Sequence, residues 1–343
     1  QATEGLGTVN TTLNSTPLVP AISSVSPASG STVGNTTVYI SGSNLQAGAT
    51  VTFGSISAAD IQIVSPSLII ATTGPGPAGA VNLTVTNPGA QSATLTHAYT
   101  YRALAPVTIP ATALRIPYAV DNLYFRSNLG INNPNPLEAN VRISELDNNG
   151  LLVNQPVSAT VSANGFLQIN SLLAYLEGSA APTGREGSLV LESDQPIHGF
   201  ISQIDNQTGD PSILDGTQTG GMRLILQSAA NTGPFRSTLV ILNLSPDQAL
   251  VDVTALSRST GQPIGNSLRN VSIAGHGFIS FNNILQALSV PGEYGPVEIH
   301  STNGALLAAV SRVSGLSART SGFFTAQDSN SGSQSEIIPF VID

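Results

Sequence analysis

The chain has 343 residues, of which 41% are hydrophobic and only 9% charged, with a net charge of −9 and no cysteine or tryptophan. Its eleven basic residues are all arginine. This excludes thiol and disulfide chemistry, Schiff-base and P-loop chemistry that needs a lysine, and the basic patches that nucleic-acid binding requires. Hydrophobicity is too high for a disordered chain, and the length suffices for about two or three domains.

Residues 1–20 are polar and threonine-rich, and read as an extended leader or an arm that pairs with a neighbouring molecule. A start at Gln1, with Met222 the only methionine, is expected from removal of a signal peptide. No apolar run approaches the length of a membrane span. From Ala21 the pattern becomes short, β-branched and bounded by glycine, as in Thr37-Val38-Tyr39-Ile40 and Val51-Thr52-Phe53-Gly54. Val81, Leu83 and Val85 share one face at the two-residue period of a half-buried strand. Residues 21–104 are therefore expected to form one β-sandwich.

The motifs in this stretch are specific. Pro27-x-x-Gly30, Gly42-Ser43-Asn44-Leu45, Phe53-Gly54, the turn at Asn87 and the closing Tyr99-Thr100-Tyr101 occur in that order. Over residues 20–102 the chain resembles the IPT/TIG immunoglobulin-like domain. The resemblance implies the sandwich fold but hardly a function, because such domains occur in bacterial surface proteins, beside catalytic domains, in receptors and in transcription factors.

The rest of the chain repeats itself. Phe125-Arg126-Ser127 returns as Phe235-Arg236-Ser237, 110 residues further on. Gly165-Phe166-Leu167 answers to Gly277-Phe278-Ile279, and Gly184-Arg185-Glu186-Gly187 to Gly292-Glu293-Tyr294-Gly295. Ile201-Ser202-Gln203-Ile204 is matched with Val310-Ser311-Arg312-Val313. Residues 107–222 and 223–343 thus read as two copies of one β-sandwich unit. Each has one short helical turn, at Leu172–Leu176 and Ile284–Leu288. The signature Phe-Arg-Ser, a strand ending in Asn, and a late Ser-Arg pair resembles a repeat found in secreted and surface proteins of bacteria. The first copy keeps Ser202-Gln203 in place of that Ser-Arg. The expected fold class is all-β, with three immunoglobulin-like sandwiches in tandem. Leu114-Arg115-Ile116-Pro117, Leu224-Ile225-Leu226-Gln227 and Ile337-Ile338-Pro339-Phe340 are alike, so two copies have three boundary strands. Each sandwich can use its own pair, or a terminal strand can complete a sheet in another molecule.

Chemistry-bearing residues are sparse. The histidines, His97, His198, His276 and His300, have no metal-ligand spacing, and no Gly-x-Ser-x-Gly elbow occurs. Asp121, Glu138, Glu145 and Asp147 offer carboxylates for glycoside hydrolysis, but the second copy keeps almost none of them. The loop Asp205-Asn206-Gln207-Thr208-Gly209-Asp210, with Asp215 following, is a candidate calcium site, although Asp, Asn and Gly are also turn chemistry. Asn148-Asn149-Gly150 is expected to make a type I′ hairpin turn. The repeated Arg126 and Arg236 are expected to find local structural partners. Sequons make Asn10, Asn14, Asn35, Asn82, Asn206, Asn243 and Asn270 glycosylation candidates.

These readings converge on a non-enzymatic extracellular protein with no required cofactor. It would be a subunit of a filament, stalk or surface layer, with itself as partner and terminal segments available for strand addition. The alternatives are an adhesion module binding a surface glycan, with Tyr118, Tyr124, Tyr175 and Tyr294 as ring platforms, or a non-catalytic part of a larger secreted enzyme.

Overall fold

The computed structural model describes residues 18–32, 34, 36–103, 108–178, 183–315 and 321–329. Asn10, Asn14, Asn35 and the terminal strand at 336–343 lie outside them. The chain is almost all β and folds as two compact units that divide at Tyr101 and Arg102.

The first unit runs β1 (Ala21–Ser26), β2 (Ser29–Ser31), β3 (Thr37–Ser43), β4 (Thr50–Phe53), β5 (Ile56–Ser57), β6 (Ala59–Ser65), β7 (Leu68–Thr72), β8 (Gly79–Thr86) and β9 (Ser92–Arg102). One sheet has the order β1-β3-β7-β6 and the other β2-β9-β8-β4-β5. Alternation places Val38, Ile40, Ile69 and Ala71 of the first against Val51, Phe53, Leu83 and Val85 of the second. The Tyr99 ring centroid sits 4.9 Å from that of Phe53, tilted, and 5.1 Å from that of Tyr101, edge to face. Tyr101 donates its hydroxyl to Gly74 O, and burial followed by the neighbouring Tyr99 pushes its pKa up to about 12. Gly42 is required because any Cβ there would strike the carbonyl of Ala21 on β1. Asn87, buried, donates to Leu18 O and Asn44 O and accepts from Gln46 N–H, tying three loops together.

The second unit holds both copies of the repeat. Copy one comprises β10 (Leu114–Asp121), β11 (Phe125–Asn132), β12 (Ala139–Leu146), β13 (Val157–Val161), β14 (Phe166–Ile169), α1 (Leu172–Glu177), β15 (Arg185–Ser193), β16 (His198–Asp205) and β17 (Pro211–Asp215). Copy two comprises β18 (Arg223–Thr232), β19 (Phe235–Asn243), β20 (Ala249–Leu256), β21 (Pro263–Ile273), β22 (Phe278–Phe281), α2 (Ile284–Ala287), β23 (Tyr294–Ser301), β24 (Leu307–Gly315), β25 (Ser321–Thr325) and β26 (Gln327–Asp328). In copy one, β13-β12-β15-β10 form a first sheet and β14-β11-β16-β17 a second. A single residue pair, Asp121 with Arg126, bridges the two sheets at the β10–β11 corner. Copy two repeats the plan with β21-β20-β23-β18 and β22-β19-β24-β25. Even the bulge in β10 between Ile116 and Ala119 returns in β18 between Leu226 and Ala229.

The two sandwiches are not independent beads. Copy one's core continues into Val240, Leu242, Phe278, Ala308 and Val310 of copy two. All eight residues of β10 are buried, because one face lines its own sandwich and the other meets β19 and β24. The Asp147–Gly150 hairpin turn differs from the expected type I′. Among its residues only Gly150 has a positive φ (74°), whereas type I′ needs two such residues. The Asp147 carboxylate determines this, accepting from the N–H groups of Asn149 and Leu151 at 2.9 Å each.

Candidate interaction surface

The repeat signature is a set of internal fasteners. Ser127 Oγ accepts from Val120 N–H at 2.9 Å, and Ser237 Oγ from Ala230 N–H at 2.7 Å, so each serine satisfies a backbone group that the adjacent bulge frees. Asn133 and Asn243 are fully buried at the ends of β11 and β19. Asn133 donates to Leu137 O, Val161 O and Ser162 O and accepts from Asn135 N–H. Asn243 does the same with Asp247 O, Ile273 O, Ala274 O and Ser245 N–H. The repeated arginines have local partners. Arg126 donates to Asn206 Oδ1, and Arg236 to the carbonyls of Gly233 and Phe235.

The contact between the copies sets the outer face of copy one's first sheet against the outer face of copy two's second sheet. Its apolar centre is Val240, Leu242, Phe278 and Val310. Full burial of such side chains contributes about 1.5–3 kcal/mol each. Polar groups fix the register. Glu186 accepts from Tyr118 Oη at 2.8 Å and from Ser280 Oγ of copy two at 3.0 Å. The Arg312 guanidinium lies 3.7 Å from the ring centroid of Phe125. Arg115 donates to the carbonyl of His276. Phe278 N–H donates to Asn148 O, so the turn 147–150 of copy one meets the turn 275–277 of copy two. Burial lowers the pKa of Arg115 to about 10 and also lowers that of Arg312. Burial first, then the nearby Arg115 charge, lowers His276.

The pairing registers correct one sequence match. Gln203 pairs with Ser127, whereas Ser237 pairs with Val313; Arg312 pairs with Thr238, whose counterpart Asn128 pairs with Ser202. The position equivalent to Arg312 is therefore Ser202, not Gln203. A one-residue slip moves a side chain to the opposite face. Gln203 is turned inward and buried, while Arg312 faces copy one.

The same registers show that copy one carries the face that copy two buries. Gly130, Phe200, Phe166 and Ile213 occupy the places of Val240, Val310, Phe278 and Phe323. Two of them are open there. Phe166 is 56% and Ile213 61% exposed, and the rings of Phe166 and Phe200 stack with centroids 6.2 Å apart. The Phe200 ring covers Gly130, where a Cβ would collide with it.

The other candidate residues are dispersed. Asp205 Oδ1 accepts from Gln207 and Thr208 N–H, and Asp210 N–H donates to Thr208 Oγ1, which makes a closed turn. Asp215 ends β17, opposite Phe200. Among the described residues no three His, Cys, Asp or Glu side chains come together to hold a metal ion. Glu145 is buried inside copy one and pairs with Arg185, which also reaches Glu177 at 2.9 Å. Burial raises the Glu145 pKa, with the Arg185 charge opposing. Asp121 accepts from Thr183 N–H, Asp147 holds its turn, and Glu138 is exposed. His97 and His300 are exposed on β9 and β23, and His198 is exposed at the start of β16. Asn82, Asn206 and Asn270 are exposed. Asn243 must be withdrawn as an accessible acceptor, because its amide nitrogen is enclosed by the three carbonyls named above. Tyr118 is buried, while Tyr124, Tyr175 and Tyr294 are exposed. The inter-copy face itself was not foreseen. Its sequence signal lies in outward replacements at equivalent positions, such as Leu242 against Asn132, Ala308 against His198 and Arg312 against Ser202.

Comparison with known proteins places the IPT/TIG domain over residues 20–101. No curated protein matches the chain. Among solved structures, a gamma-CGTase from alkalophilic Bacillus clarkii is 15% identical over 57% of this chain and 24% of its own, with a TM-score of 0.22. The full extracellular region of plexin A4 is 14% identical over 78% of this chain and 21% of its own, with a TM-score of 0.26. The chain thus spans about a quarter or less of either protein. Among the described residues no helix is long and apolar enough to cross a membrane.

Proposed function

We propose that the chain is a non-catalytic, extracellular structural protein, a subunit of a cell-surface filament, stalk or layer. The observation that supports this most is the buried sheet-on-sheet contact between the copies, which makes a stiff double sandwich out of a duplicated unit. The low charge, abundant Ser, Thr and Asn, and the lack of lysine and cysteine suit a surface that packs against its own kind. The resemblance of the duplicated unit to repeats of bacterial surface proteins supports the same placement. Strand addition through residues 1–20 or 336–343 is a second way for molecules to join. Negative-stain microscopy of native material tests the reading. Filaments or sheets labelled by an antibody to the chain are expected, and monomers free of the cell surface would refute it.

One observation favours adhesion to a glycan. A shallow groove of about 390 Å³ is lined by Ser158, Thr160, Gln168 and Asn170 beside the half-exposed ring of Tyr175. Uncharged hydroxyls and amides next to an aromatic face suit a sugar ring. A glycan array in which Tyr175→Ala abolishes binding would establish this reading, and a blank array with the native protein would remove it.

A further inference from the structure

The contact that joins the two copies uses one outer face of each. Copy one spends its first sheet and copy two its second. Among the described residues of the second unit, no element covers the outer face of copy one's second sheet or of copy two's first sheet, although the edge strand β17 also approaches β25; they are the same two kinds of face. We propose that the outer face of β11, β16 and β17 docks a second copy of this chain, which presents the outer face of β18, β20 and β23. The contact made once inside the molecule is then repeated between molecules. This inference rests on the assembly reading above and names the surfaces that carry it.

Three observations support this occupant. The first is shape. Copy two's first sheet keeps the strand order and the bulge of its counterpart, with β26 added beside β18, and copy one's second sheet keeps the strand order of its own counterpart, so the docking geometry recurs in the fold. The second is apolar content. Phe166, Phe200 and Ile213 stand where copy two seats Phe278, Val310 and Phe323 against its neighbour. On the opposing face Ile225 and Tyr294 take the places of Arg115 and Glu186, both of which reach copy two. The third is charge. The internal contact contains two cations, Arg312 and Arg115, and one anion, Glu186, and none of the three returns on the free faces, where Ile225 has the place of Arg115. Ser202 replaces Arg312 on one and Tyr294 replaces Glu186 on the other. Removal of one sign alone would leave the other to be buried without its counterpart, which is costly. Two ion pairs lie on this face of copy two: Asp252–Arg269, in which Asp252 has the place of the exposed Arg142, and Arg223–Glu298, in which Glu298 has the place of Val190, a residue that copy one buries in its own cluster with Ala113 and Leu146. Such a contact is heterologous. One molecule's second-sheet face meets another's first-sheet face, so assembly continues as an open stack rather than closing at a dimer.

The test is sedimentation velocity of the full chain over a range of concentrations. The wild type is expected to show mass rising beyond a dimer as concentration increases. Ile213→Glu on one face and Tyr294→Glu on the other should each weaken association by about tenfold or more, since a charge would be buried unpaired. Both side chains are largely exposed, and circular dichroism checks that each variant folds. An equimolar mixture of the two variants retains one intact face of each kind and should form a one-to-one complex that grows no further. A wild type that stays monomeric overturns the proposal. So does association that only Ile213→Glu affects, which would mean that the face docks on itself. Filaments in native material that persist in both variants would overturn the docking faces while leaving the structural reading intact.

Discussion

Removing the Asn243 side chain should destabilise the second unit far more than any surface change. Its amide nitrogen is 2.7 Å from Asp247 O, 3.0 Å from Ala274 O and 3.3 Å from Ile273 O, and its oxygen is 2.9 Å from Ser245 N. Two N–H groups serve three carbonyls, so the loss amounts to about three good bonds. Each is worth about 1 kcal/mol net, with more lost where the orphaned partner stays buried. Asn243→Ala should therefore cost roughly 3–5 kcal/mol, or about 10 °C in Tm for a unit of this size. Asn133→Ala should cost the same within about 1 kcal/mol, because its four partners are equivalent. Asn243→Asp should be worse than Ala, since a carboxylate would face three carbonyl oxygens. The assay is urea unfolding followed by far-ultraviolet circular dichroism, with amide exchange in β9 reporting the first unit. Because the copies share a core, both alanine variants should move one common transition and leave the first unit's signal in place. A loss below about 1 kcal/mol, or separate transitions for the two copies, would refute the reasoning.

Other outcomes follow from the same geometry. In a glycosylating host, peptide mass spectrometry should find glycan at Asn82, Asn206 or Asn270 and leave Asn243 bare. His276 has its pKa lowered by burial and by Arg115, so the folded chain binds this proton less readily than the unfolded one. Its contribution is present above the ordinary value of 6.5 and lost as pH falls below it, and His276→Asn, which tolerates the positive φ of 59°, should remove that fall in a Tm-against-pH series. Calcium should leave Tm unchanged, whereas Asp205→Ala should cost about 1 kcal/mol by freeing the two N–H groups it holds.

Much of the fold was legible because its signals are local. The alternation of Val81, Leu83 and Val85, the glycine turns and the Phe-Arg-Ser repeat each depend on neighbours in sequence. The two short helices fell where the apolar runs at Leu172 and Ile284 placed them. The Asn-Gly turn was misjudged because a carboxylate two residues earlier, at Asp147, competes for the backbone. The sequon at Asn243 was misjudged because nothing within the tripeptide reports the three carbonyls brought in from Asp247 and from residues 273 and 274.

The slip at Arg312 shows where sequence comparison between copies fails. Strand β16 and strand β24 do not alternate strictly, since Phe200-Ile201 and the run Leu307–Val310 are apolar on both faces, so a match displaced by one residue still aligns apolar with apolar. Only the hydrogen-bonded partner decides the register, and that partner lies on β11 or β19, some seventy residues earlier. Once the register is corrected, β11 and β19 differ by face. Their inward positions keep their character, as Leu129 and Leu239 or Ile131 and Ile241 do, whereas β16 and β24 differ inward too, with Ile201 against Ser311 and Gln203 against Val313. Outward positions diverge, with Leu242 against Asn132, Ala308 against His198 and Arg312 against Ser202. A duplicated sandwich would show no such sorting if its copies had equivalent surroundings. The outward divergence therefore records which face each copy buries, and Phe166, Phe200 and Ile213 stand out as the apolar residues that this divergence left on the open one.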